Sequence, residues 1–289
     1  MSTKQLKSVE NLGWTAGLRN MLRKENGKWW SLKSLAAQLI IWTLIVNSMV
    51  ALAVFVIPQI PITEDVQAQI NSTGDDEAKQ AVSNGMLNFT PETILTFGMS
   101  MFFQVMSIAL LIGGVILAHD SILKERESGT AAWLLSKPIS RKAFVLSKLI
   151  ACMFGLLVIV VAIQAIIAYA QISIAYGGLA PVLPFLGGLG IMSLNGLFYM
   201  VLALALGAFT LSRGATLGLP IIIGLVGSVL LQVVSELQYV TPWTLGGMAE
   251  TFAAGGALPD WAIFPIIATV VWIIVFAGAA IMRFEKIEL

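Results

Sequence analysis

The chain has 289 residues, of which 57% are hydrophobic and only 11% are charged, and its mean hydropathy is +0.87. Soluble domains carry about 25% charged residues, so this composition excludes an ordinary soluble domain and indicates an integral membrane protein. The net charge of +1 gives no sign of a nucleic-acid partner, and we expect none. A single cysteine (Cys152) and a single histidine (His119) exclude an intrachain disulfide and zinc sites built from several thiolates or imidazoles.

The N-terminal segment is polar and basic up to the first apolar run. Its stretch GLRNMLRKENGKWWSLKS places apolar residues at helical spacing among basic ones and ends near Trp29 and Trp30. This pattern predicts a helix lying at the membrane interface, although a plain basic flank would look similar. We expect no cleavable signal. We assign residues 1–34 to this cytoplasmic or interfacial segment and residues 35–289 to the membrane domain.

Six apolar runs are long enough to cross about 30 Å of hydrocarbon, which takes roughly 20 residues. The predicted spans are Leu35–Ile57, Phe97–Ala118, Leu149–Ile172, Gly188–Leu211, Thr216–Val234 and Ala262–Met282.

The basic residues predict the direction of these spans. Of the 17 Lys and Arg residues, all but Lys79 lie before span 1, between spans 2 and 3, between spans 4 and 5, or after span 6. The positive-inside rule therefore predicts cytoplasmic termini and a cytoplasmic loop at residues 119–148. Residues 58–95 form an exterior loop that is mostly acidic. A solvated loop is favoured there over a substrate-capture site.

The segment before span 6, SELQYVTPWTLGGMAETFAAGGALPDW, is moderately apolar but interrupted by glycines and prolines. Irregular backbone at membrane depth persists only where protein covers it, so we expect a re-entrant or interfacial pair of short helices. The fold class is therefore all-α integral membrane, with six transmembrane helices, an N-terminal interfacial helix and this re-entrant segment.

No formal charge lies inside the six predicted spans, which disfavours ion-coupled carriers and pumps. Four amides are candidate pathway-lining residues, although hydrogen bonds across helix interfaces are the favoured interpretation: Asn47, Gln104, Gln164 and Asn195. With one histidine and no buried acid pair, an intramembrane hydrolase is disfavoured, and we name no catalytic or metal-binding residue. No G-x-x-x-x-G-K-[ST] sequence occurs, so we expect no ATP site, no cofactor and no enzymatic activity in this chain.

The loop between spans 2 and 3 reads KERESGTAAWLLSKPISRK. It predicts that span 2 continues as a helix to a left-handed cap at Gly129, that Thr130 caps a short helix stopped at Pro138, and that Ser140 caps the helix leading into span 3. Trp133 and its apolar neighbours would then face the cytoplasm within a charged rim, as at many protein interfaces. From the residues alone, a docking surface and an ordinary basic connector with Trp133 in the headgroups both remain open.

The same loop resembles the signature of type-2 ATP-binding-cassette (ABC) exporter permeases. That signature is carried here by Glu127, Ser128, Gly129, Thr130, Leu134, Leu135, Pro138, Ile139, Ser140, Arg141 and Lys148. The six-span layout, the basic N-terminal helix and the broken segment before span 6 match the family as well, so the resemblance covers essentially the whole chain.

The resemblance implies a permease subunit of an exporter in a prokaryotic plasma membrane. Two permease chains, identical or different, would each dock this coupling loop into one of two copies of a separate ATP-binding subunit, which holds ATP and Mg²⁺. The resemblance implies that Glu125, Arg126 and Glu127 make charged contacts with the ATP-binding subunit, and that Trp133 and Leu134 make apolar ones. Gly129 and Pro138 would set the angle of the loop. The implied coupling residues also include Ser128, Thr130 and Arg141. The alternative is a membrane subunit of the same type that acts in signalling, mechanotransmission or assembly without moving a solute.

Overall fold

The computed structural model describes residues 13–59, 89–136 and 139–286. These residues are 85% helical and contain no strand. Six helices are long and apolar enough to cross a membrane, which confirms the expected number of spans. The exterior-loop residues 60–88 and Pro138 lie outside the described residues, so the expectations for them remain predictions.

The helices, in chain order, are α1 (Leu18–Trp29), α2 (Leu32–Gln59), α3 (Pro91–Glu127), α4 (Thr130–Leu135), α5 (Arg141–Tyr176), α6 (Val182–Phe209), α7 (Arg213–Val233), α8 (Leu245–Ala253) and α9 (Ile263–Glu285).

Two helices are much longer than their predicted spans. Helix α3 runs nine residues past the predicted end at Ala118, and α5 begins eight residues before the predicted start at Leu149. Both extensions are amphipathic or charged, so the hydropathy criterion that finds a span ends before the helix does. The extensions carry the loop between spans 2 and 3 away from the apolar part of the bundle.

Helix α6 forms the centre of the bundle and packs against α3, α9, α8 and α7. Its close neighbours meet at aromatic side chains, where the Phe185 ring lies 5.5 Å from Phe102 and 5.3 Å from Tyr169. Helices α7 and α9 leave large apolar side chains exposed, for example Ile222 and Ile274. Such faces are expected where lipid or another apolar helix replaces water.

Wide π-helical turns interrupt α2 at Thr43–Asn47 and Leu52–Val56, and α5 at Leu156–Ala162. Several glycines allow a tryptophan ring to pack directly against a helix backbone, and two of these contacts position α1 and α2. A Cβ at Gly113 would lie 1.9 Å from Trp42, and one at Gly155 would lie 2.4 Å from Trp29. The second contact seats α1 against α5.

Candidate ATPase-coupling site

The loop between α3 and α5 has the predicted helix–break–helix–break–helix form. Helix α3 ends at Glu127, and Gly129 follows with a φ of 69°, the left-handed conformation that glycine adopts at lowest cost. One detail of the prediction is wrong. The Gly129 carbonyl accepts from the Trp133 amide at 3.2 Å, so Thr130 is the first residue of α4 rather than its cap. The Thr130 hydroxyl instead bonds the Ser128 hydroxyl at 2.8 Å.

Ser140 caps α5 as predicted, because its Oγ accepts from the Ala143 amide at 3.0 Å. The same hydroxyl donates to the Trp14 carbonyl at 2.5 Å, and the Ser140 amide donates to the Ala16 carbonyl at 3.1 Å. The return half of the loop is therefore tied to the segment that precedes α1.

A cluster of five charged side chains joins α1 to the long extensions of α3 and α5. We call it the charge cluster: Lys24, Glu25, Lys28, Glu125 and Lys148. At its centre Lys148, which is fully buried, lies 3.1 Å from Glu25 Oε1 and 3.0 Å from Glu125 Oε2. The Lys24 Nζ donates to Glu125 at 2.9 Å and the Lys28 Nζ donates to Glu25 at 2.8 Å. Each buried carboxylate thus lies within 4.0 Å of all three lysines.

Partial burial lowers the pKa of Lys28, but the hydrogen bond to Glu25 and the two nearby carboxylates outweigh it and leave the pKa above its usual 10.5. The Lys28 ammonium is therefore charged at neutral pH. Its contribution to stability is present below the unfolded-state pKa and is lost only as the pH rises through the higher folded-state value.

Arg126 and Glu127 connect the end of α3 to the junction of α6 and α7. The Arg126 guanidinium donates to the carbonyls of Gly207 and Ala208 at 3.0 and 3.1 Å, at the end of α6 where backbone acceptors lack partners in the helix. Glu127 accepts from Arg213 at 2.6 Å. Three consecutive charges of the motif therefore bind three different parts of the chain.

The short helix α4 holds the apolar residues of the site. Trp133 is 60% exposed, whereas Leu134 is 6% exposed and packs into the core. Farther along, the Arg141 guanidinium donates to the Glu285 carbonyl at 2.8 Å, and Lys142 lies 3.4 Å from the Glu285 carboxylate. These contacts bring the ends of α3, α5, α6, α7 and α9 together, and we call this the basic end of the bundle.

Two of the candidate pathway residues bond each other across a helix interface. The Asn47 amide donates to Gln164 Oε1 at 2.7 Å, and the Thr43 hydroxyl donates to the same oxygen at 3.1 Å. The Gln164 amide in turn donates to the Ile159 carbonyl inside the wide turn of α5, at 3.2 Å. Asn47 and Gln164 are both buried, so this group joins α2 to α5 rather than facing an open space within the chain.

The other two candidates lie apart from that group. Gln104 is exposed and donates to the Glu250 carboxylate of α8 at 3.0 Å. Asn195 is buried, and its side-chain oxygen accepts no hydrogen bond within the part of the chain that the structure describes. Asn195 lines a cavity of about 200 Å³ with Ser107 and Ser228. Among the described residues of this chain, the four amides therefore lie in three separate places.

The sequence did not predict the charge cluster: Lys148 was assigned only to the loop signature, and the α1 lysines only to the polar side of an interfacial helix. One signal was available, because Glu25 is the single acidic residue in α1. Its partner on another helix, Lys148, is 123 residues distant in the chain, so no local spacing rule identifies that contact.

Comparison with known families gives one match, which covers nearly the whole chain. A family model described as ABC-2 family transporter protein matches residues 22–289. No curated protein matches the sequence. The matched region includes the charge cluster, the loop and all six membrane helices, and the family supplies a membrane subunit that partners with an ATP-binding subunit. The chain therefore belongs to the ABC-2 family of transporter membrane proteins and is an ABC transporter permease.

Proposed function

We propose that this permease is the membrane subunit of an exporter, and that the loop around α4 couples ATP hydrolysis by a separate ATP-binding subunit to movement of a substrate. The observation that carries the proposal is the way the loop is fixed. Its two supporting helices are bound to α1, α6 and α9 by buried or multiple polar contacts, while Trp133 is 60% exposed. An exposed aromatic residue on a rigid support is suited to receive and transmit a rigid-body motion.

The placement of the charges refines their proposed roles. Glu125 is 8% exposed and Arg126 binds backbone carbonyls, so both support the loop from inside. Glu127 and Trp133 are more accessible, and we propose that they contact the ATP-binding subunit directly. Two permease chains and two ATP-binding subunits per complex complete the proposed assembly.

The first experiment is to purify the tagged chain in mild detergent and identify co-purifying proteins by mass spectrometry. A stoichiometric ATPase carrying a P-loop is expected. With that complex in hand, Trp133→Ala should abolish stimulation of the ATPase by the permease while leaving membrane insertion intact. Trp14→Ala is the matched control, because Trp14 is 63% exposed at the same end of the bundle.

Glu127 requires a charge swap because it also binds Arg213. Glu127→Lys should uncouple the ATPase, and Arg213→Glu in the same chain restores the internal ion pair with its charges reversed. If Glu127 contacts the ATPase, the double variant stays uncoupled. Recovery of coupling in the double variant would assign Glu127 an internal role, and wild-type behaviour of both Glu127→Lys and Trp133→Ala would overturn the docking proposal. No observation specifically favours the signalling or assembly alternative.

A further inference from the structure

Two cavities adjoin at the basic end of the bundle. The first, the polar chamber, has a volume of about 450 Å³ and lies between α1 and the extension of α3, with Lys28, Ser121 and Lys124 in its wall. The second, the apolar groove, has a volume of about 690 Å³ and lies between α2 and α3. The two share Ser34, Gln38 and Leu117 as lining residues, so they form one continuous depression.

The apolar groove has the length of one membrane leaflet. Along α3 it runs from Val105 to Leu117, which is about 18 Å at 1.5 Å per residue. One leaflet contributes about half of the roughly 30 Å hydrocarbon thickness. The groove is walled by isoleucines, among them Ile45 and Ile112, and its floor is the Trp42 ring seated on Gly113. The Trp42 nitrogen donates to Gln38 at 3.3 Å, which places its polar edge toward the chamber.

The polar chamber carries an excess of positive charge. Lys28 lines the chamber together with Glu25 and Glu125. Lys24 and Lys148 bind these glutamates from outside the lining, and the five groups together sum to one positive charge. Lys124 adds a second, since it is exposed and makes no ion pair with any residue between 13 and 59, 89 and 136 or 139 and 286. Asp120 offsets one of these two charges, so the chamber and the lysines behind its glutamates carry a net charge of +1. Hydroxyls of Ser121, Ser128 and Thr130 add hydrogen-bond donors to the wall.

We propose that the chamber and groove together bind one phospholipid of the leaflet at the basic end. The phosphate lies against Lys124 and Lys28, and one acyl chain lies along the groove between α2 and α3. A positively charged site at the membrane surface attracts anionic headgroups, and the apolar groove begins where the chamber ends. A second copy of this chain fits the depression less well, because two-fold pairing would bring two chambers of like charge together.

The test uses the complex reconstituted in nanodiscs with a trace of phosphatidylglycerol that carries a diazirine in one acyl chain. After irradiation, labelled peptides are mapped by mass spectrometry. Labelling should concentrate on groove residues such as Ile45 and Ile112 over the lipid-facing residues Ile222 and Ile274. A diacylglycerol with the same diazirine chain, which lacks the phosphate, should label the groove no more than those outer faces.

Two variants test the contribution of the lipid headgroup and that of the acyl chain separately. Lys124→Gln should reduce groove labelling about fivefold, the effect of one lysine near a membrane surface, whereas Lys286→Gln, an exposed lysine outside the chamber, should not change it. Ala37→Trp fills the groove and should abolish the labelling, while its neighbour Ala36→Trp, outside the groove, should not. Equal labelling of groove and outer faces, or labelling insensitive to both Lys124→Gln and Ala37→Trp, overturns the proposal. Cross-links from the groove to a second permease chain also overturn it.

Discussion

Removing Lys148 should destabilise the protein more than removing any exposed lysine. Lys148 is fully buried, and Lys148→Met leaves Glu25 and Glu125 in a buried position with one cation fewer each. Breaking a buried ion pair by removing one partner costs about 3–5 kcal/mol. Because Lys24 and Lys28 still bind the two carboxylates, we expect a loss near the lower end, about 3 kcal/mol.

The assay is the free energy of unfolding, measured by SDS titration of the purified chain in mixed micelles. Lys142→Met is the matched control, because Lys142 lies on the same helix and forms an ion pair with Glu285 at 3.4 Å whose side chains are 45% and 39% exposed. Pairs of that kind contribute about 0–1 kcal/mol. The variant at Lys148 should therefore lose at least three times as much stability as the control.

A rescue variant tests the cause. Changing Glu25 and Glu125 to glutamine in the Lys148→Met chain removes the two carboxylates that have each lost a cation, and leaves only the partly exposed Lys24 and Lys28. This should recover most of the lost free energy, since replacing all the buried members of an ion group is often nearly neutral. Equal losses for Lys148→Met and Lys142→Met, or a rescue variant no more stable than Lys148→Met, would refute the reasoning.

Three further substitutions have expected outcomes. Gly113→Ala should cost about 1–3 kcal/mol in the same titration, because its Cβ would overlap the Trp42 ring. Gly114→Ala should be tolerated, since its Cβ would lie no closer than 3.5 Å to any neighbour. Similar losses of stability for both variants would contradict the packing argument. Gln164→Leu should cost about 1 kcal/mol by leaving buried amide and hydroxyl groups without their acceptor, and a stabilised variant would contradict this. Gly129→Ala should cost about 1–2 kcal/mol through its left-handed backbone alone, because no atom lies within 4 Å of the new Cβ. It should also weaken stimulation of the ATPase. Unchanged stability and unchanged stimulation would contradict a fixed loop angle.

Local patterns predicted the parts of the fold that depend on local chemistry. Hydropathy identified six spans, and the Gly129 and Ser140 positions predicted the loop breaks because left-handed glycines and serine caps act within a few residues. The charge cluster was beyond such reasoning, since Glu25 and Lys148 meet only after α1 folds against α5. Hydropathy also could not show that Glu250, outside every predicted span, reaches Gln104 inside span 2.

The sequence predicted which residues form the candidate site but not which part of the chain each of them contacts. A run such as Glu125-Arg126-Glu127 reads as one charged patch, yet successive residues of a helix point about 100° apart. Glu125 consequently faces α1 and α5, Arg126 faces the end of α6, and Glu127 faces α7. Which of these three side chains faces solvent depends on the positions of the neighbouring helices, which the local sequence does not specify.

The wide turns in α2 shift the angular phase of that helix. A π-bulge accommodates one extra residue within a turn, so the following side chains lag behind an ideal helical wheel by about 100°. With two such turns, at Thr43–Asn47 and Leu52–Val56, a helical wheel begun at Ser34 is out of phase by about 200° at Ile57. In a cysteine-accessibility scan along α2, the 3.6-residue periodicity of accessibility would therefore be interrupted at each of the two turns. Deleting one residue within either turn would restore regular winding there, and the far half of α2 would keep the same side chains facing α5, because each wide turn already absorbs one residue.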